Sequence, residues 1–112
     1  MDSSKKPGNP VTGSNTGANG RTMADRLRQK TDEYEAYLAT ALAETRITPE
    51  QPAERKESAG GCMEMATAYL EDGRHFREEG DLPNALAAFA YGHGWLDAGI
   101  RIGVLSVQDS DE

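Results

Sequence analysis

The sequence predicts an all-α fold, a three-helix up-down-up bundle behind a disordered N-terminal tail. Two observations set the bundle: apolar residues recur at helical spacing in three stretches, and connectors rich in proline or glycine separate them. A third sets the tail. Residues 1–21, "MDSSKKPGNPVTGSNTGANGR", are dense in Gly, Ser, Thr, Asn and Pro. They bury too little apolar surface to offset the entropy of ordering them. The expected division is a tail over 1–21, a helical domain over 22–107 and an acidic tail over 108–112. The helices span about 22–45, 54–79 and 82–107.

The first helix starts at Thr22, a hydroxyl at an N-cap position with Asp25 three residues on, close to a capping box. Leu27, Thr31, Tyr34, Leu38 and Ala41 then fall on one face. Pro49 and Pro52 mark a connector. The second helix begins between Ala53 and Ser58, with Gly60 and Gly61 leaving its first turn open. Its inward face is Cys62, Met63, Ala66, Tyr69, Leu70, Gly73 and Phe76. Gly80 suits a left-handed C′ position, Asp81 caps the third helix and Pro83 occupies its first turn. So short a turn makes helices two and three antiparallel neighbours.

The third helix carries the widest apolar surface. Leu82, Leu86, Phe89, His93, Leu96, Ile100, Val104 and Val107 share an arc of about 80° at 100° per residue. Ala85, Ala88, Gly92, Gly99 and Gly103 form a second arc beside it, and Tyr91, Trp95 and Ile102 lie beyond. Glycine inside a helix costs about 1 kcal/mol relative to alanine. The glycines at 92, 99 and 103 therefore read as contact points where a neighbouring helix approaches. Gly94 projects with Asp97 and Arg101 on the polar side and has no packing reason.

Composition excludes some functions. The net charge is −7, from 19 acidic and 12 basic residues, and four of the basic ones are lysine. A free acidic protein repels nucleic acid and anionic lipid. Few lysines with many Asp, Glu, Ala and Gly also fit the surfaces of proteins from extreme halophiles, where molar salt screens charge within about 3 Å. Cys62 is the single cysteine, so no intrachain disulfide or thiolate metal cluster forms. No signal peptide or membrane span is legible, and a cytoplasmic location is expected.

Residues 66–103, "ATAYLEDGRHFREEGDLPNALAAFAYGHGWLDAGIRIG", carry a Tyr-Leu pair, Gly-Asp, Asn-Ala and a closing run from Tyr91 to Gly99. This pattern resembles an archaeal family of proteins of unknown function, number three-five-seven, and fits a haloarchaeal member. Over 24–65 the resemblance rests on helix placement. It implies a compact helical domain and no particular activity. Gly73 and Gly92 depart from it, each standing where the family has alanine.

The candidate site or interface residues are His93, Asp97, Trp95 and Tyr91. His93 lies within the large apolar stripe. It reads either as a buried neutral imidazole or as a ligand or acid–base group beside Asp97, about 40° away around the helix. Trp95, Tyr91 and Ile102 are core if the first helix covers them, and otherwise an exposed patch for a partner or a second copy. Asp97 and Arg101 are spaced for a surface ion pair. His75 sits on the polar face of helix two, about 10 Å along the axes from His93, too far to share a metal ion. No cofactor, metal or catalytic set is expected. The favoured reading is a non-enzymatic module that binds a protein or itself. The alternatives are a nucleic-acid-associated module and a small ligand binder or enzyme built on His93 and Asp97.

Overall fold

The structure, a computed structural model, describes residues 22–108. The tail expected at 1–21 and the last four residues lie outside the described residues. Three helices, α1 (Met23–Glu44), α2 (Ala53–Glu78) and α3 (Leu82–Arg101), alternate in direction. Two three-residue strands, β1 (Thr45–Ile47) and β2 (Leu105–Val107), join the ends of α1 and α3.

Thr22 starts α1 through a full capping box. Its hydroxyl accepts from the Asp25 amide at 3.0 Å, and the Asp25 carboxylate accepts from the Thr22 amide. Such a cap stabilises a helix by about 1 kcal/mol. Thr31 and Leu38 on the expected inward face are buried, and Tyr34 packs against the same core. Between α2 and α3 the chain reverses through a Schellman turn. Gly80, at φ 81°, donates to Arg77, and Asp81 donates to the Phe76 carbonyl. The Asp81 carboxylate then accepts from the Asn84 amide at 3.2 Å and caps α3.

α3 is the central element and packs along both α1 and α2, which touch each other far less. Its buried residues are Ala85, Ala88, Phe89, Gly92, Leu96 and Gly99. The burial axis therefore runs through the small residues, and Leu86, His93 and Ile100 sit at its margin, half-buried. The cause is close approach. A Cβ on Gly73 would lie 2.3 Å from the Phe89 ring, and one on Gly92 would lie 2.7 Å from Leu38 and 3.2 Å from the Ala66 carbonyl. Gly73 and Gly92 are thus contact points between helices.

The expected end of α3 at 107 is corrected. The helix stops at Arg101, because Gly103 takes φ 90° and closes a second Schellman turn. Gly103 is a terminator, not a helix contact. Past it, Val104 and Leu105 turn back into the core, and Leu105 fills the space against Gly99, where a Cβ would lie 2.5 Å from its Cδ1. β2 then pairs antiparallel with β1, Thr45 opposite Val107 and Ile47 opposite Leu105. Gln108, expected in the acidic tail, extends this ribbon by donating to the Glu44 carbonyl. Arg55 of α2 reaches over to donate to the Ile102 carbonyl at 3.0 Å, closing the end of α3.

Candidate functional site

The solvent face of α3 is built from residues that helical geometry brings to one side: Ala87, Ala90, Tyr91, Gly94, Trp95 and Ala98. All six are exposed. Tyr91 is 65% exposed, Trp95 40%, and Ile102 just past the helix 61%, so the first helix does not cover this shoulder. Of the two situations open to Trp95 and Tyr91, the exposed patch is the one found. The helix carries two formal charges along its length, Asp97 and Arg101. By contrast, α1 and α2 are studded with Asp, Glu, Lys and Arg.

Neighbouring helices extend this face. Tyr69 of α2 lays its ring 5.6 Å from that of Tyr91, tilted by 42°. Such a pair stiffens both rings and is worth about 1 kcal/mol beyond its buried area. Tyr34 and Tyr37 of α1 form a second tilted pair, 5.9 Å between centroids. Two shallow depressions lie between these rings and meet at Ala90 and Gly94. One, of about 350 Å³, is walled by Tyr91, Trp95 and Ala98. The other, of about 270 Å³, is walled by Tyr34, Tyr37, His93 and Asp97. At Gly94, where the two join, a Cβ would meet nothing within 4 Å. Gly94 lies beside the small residues Ala90 and Ala98 and shares the second depression with Asp97, on the solvent side where its sequence position put it.

His93 is not the buried imidazole of an apolar stripe. Its side chain is 38% exposed, and Nδ1 lies 3.4 Å from Asp97 Oδ2. The two side chains meet despite their offset around the helix. Asp97 faces His93 and not Arg101, so the expected i,i+4 ion pair is replaced. His75 stands apart, exposed on α2 with its Nε2 2.9 Å from Glu79 Oε2. Cys62 packs against the core, half-buried. No group of three His, Cys, Asp or Glu side chains among the described residues could hold a metal ion.

Sequence reasoning missed Tyr37 and Tyr69 as parts of this face. It also missed the alanines at 87, 90 and 98, whose spacing with Gly94 was the available signal. A further unread cluster lies across α1 and α2. Arg77 bonds Asp32 at 2.6 Å and Glu35 at 2.9 Å, and Arg74 bonds Glu35 at 2.6 Å. It clasps the two helices that otherwise touch little.

Comparison with known proteins supports the fold. A crystal structure of a protein from Archaeoglobus fulgidus, of the family described below, superposes with a TM-score of 0.64 at 24% identity. The match covers 78% of this chain and 100% of that one, and it shows the fold alone. No curated protein matches the chain. The family model described as "Protein of unknown function (DUF357)" matches residues 33–105, well over half of the sequence. The chain belongs to the DUF357 family.

Proposed function

We propose that this protein is a non-enzymatic docking module that binds protein through the solvent face of α3. The observation that carries the reading is the exposure of Tyr91, Trp95 and Ile102 beside an uncharged strip of alanine and glycine. Isolated exposed apolar residues are ordinary. Tryptophan and tyrosine grouped within three helical turns, the Tyr91 ring held by Tyr69, are the composition of interface hot spots. The net charge of −7 and the scarcity of cations on this face argue against a nucleic-acid partner. His93 and Asp97 support a weaker second reading, a small-ligand site in the depression they share with Tyr34 and Tyr37.

The test is a photo-crosslinking amino acid in place of Trp95, activated in living host cells at their own salt. The expected product is a covalent adduct with protein, unaffected by His93→Gln and absent from a control probe at exposed Glu78. Adducts that contain RNA and no protein, or none above the control, would sink the docking reading. Loss of the adduct on His93→Gln would move the weight to the second one.

A further inference from the structure

We infer that α3 docks against α3 of a second copy, antiparallel, around a twofold axis passing near Ala98. The inference rests on the docking reading and names its partner. It follows from what lies on either side of Ala98. At 100° per residue, Trp95 and Ile102 fall about 60° and 40° to one side of it, and Asp97 and Arg101 about 100° and 60° to the other. Ile102, the C-cap, keeps a helical backbone, so it holds its place in this pattern. A twofold axis lying in the interface reverses the chain direction and leaves each margin facing itself. One such axis sets Trp95 opposite Ile102 of the other copy along the first margin. The same axis sets Asp97 opposite Arg101 of the other copy along the second, and each contact occurs twice.

A single operation thus matches aromatic to aliphatic and acid to base. Small Ala98 and Gly94 lie between the margins, so the two backbones can approach closely. Charge selects this face for a second copy. Two chains of −7 repel wherever they present their charged helices, whereas Asp97 and Arg101 cancel on α3. Size fits as well. Trp95, Tyr91, Ile102 and the alanines offer on the order of 500 Å² per copy, so about 1,000 Å² for the pair. That is enough for a specific contact and small for a permanent one. The pair is a reversible dimer that separates on dilution.

The experiment is sedimentation equilibrium on the full chain, with the fold checked by circular dichroism and the emission of Trp95, the single tryptophan, followed in parallel. The wild type is expected to dissociate on dilution, its emission shifting to the red as Trp95 meets water. Ala98→Glu sets two carboxylates against each other at the axis and raises the dissociation constant at least about tenfold. Ala98 is exposed in the monomer, so the fold tolerates the change. Asp97→Arg and Arg101→Asp each weaken the pair several-fold, and the double exchange restores it. A wild type that stays monomeric, a dimer indifferent to Ala98→Glu, or a double exchange as weak as the single variants would overturn the inference. A monomeric wild type that still forms an adduct at Trp95 with some other protein leaves the docking reading standing. The absence of any protein adduct removes both.

Discussion

Gly92 and Gly94 stand two residues apart in α3 and meet opposite surroundings. A side chain at Gly92 would collide with Leu38 of α1 and with the Tyr69 Cβ and Ala66 backbone of α2. One at Gly94 would enter open space. The same residue, with the same cost to the helix, thus serves two faces that differ in kind. The inner face needs glycine because the Leu38 side chain of α1 and the Ala66 backbone and Tyr69 Cβ of α2 close on it, and packing returns what the helix loses. On the outer face nothing in the bundle meets Gly94, and the packing of the monomer gives no reason for glycine there. The comparison separates the face that holds the bundle together from the face proposed for docking.

Three substitutions, each read by denaturant unfolding of dilute protein, break or sharpen this contrast. The largest effect is at Phe89, fully buried against Gly73 of α2. Phe89→Ala removes the central ring of the inner face, and a loss of about 3–5 kcal/mol is expected. At Gly92, valine is expected to cost about 1–3 kcal/mol, because the Ala66 carbonyl is backbone and cannot step aside. A Gly92→Val protein as stable as the wild type would show that the helices are not in close contact. The smallest effect has the opposite sign. Gly94→Ala should stabilise the monomer by about 0.5–1 kcal/mol, the helical preference of alanine realised with no clash. A destabilised Gly94→Ala would mean that a neighbour already occupies that space.

Local signals proved readable where the physics is local. The Thr22 cap, the Gly80–Asp81 reversal and the Thr31, Leu38 face of α1 all follow from hydrogen bonds or spacings within a few residues. The end of α3 was not readable in the same way. Val104 and Val107 continue the apolar spacing of the helix, and the left-handed backbone of Gly103 competes with a pattern that runs straight through it. The placement of His93 failed for another reason. Spacing identifies an apolar arc and not its midpoint. Close approach at Gly73 and Gly92 drew burial toward the small residues, leaving His93 at the rim beside Asp97. Tyr37 and Tyr69 joined the outer face through tertiary placement, which no spacing within a single helix encodes. Trp95 and Tyr91 were named from the sequence, and their exposure needed the neighbouring helices in place.

The short ribbon of β1 and β2 gives the bundle a folding unit larger than its helices. Thr45 pairs with Val107 across the whole of α2 and α3, a contact far more distant in sequence than those within the α2–α3 hairpin. α1 is held to the α2–α3 hairpin by its packing along α3 and by the arginine clasp on α2, and the ribbon adds a third attachment. With the ribbon formed, detaching α1 also strips the strand from β2 and exposes Leu105, so separation of the first helix is linked to loss of the core. Amide exchange in α1 then follows global opening more closely than its own packing would dictate. The distant pairing also raises the contact order, so this small helical protein forms more slowly than one built from helical hairpins alone.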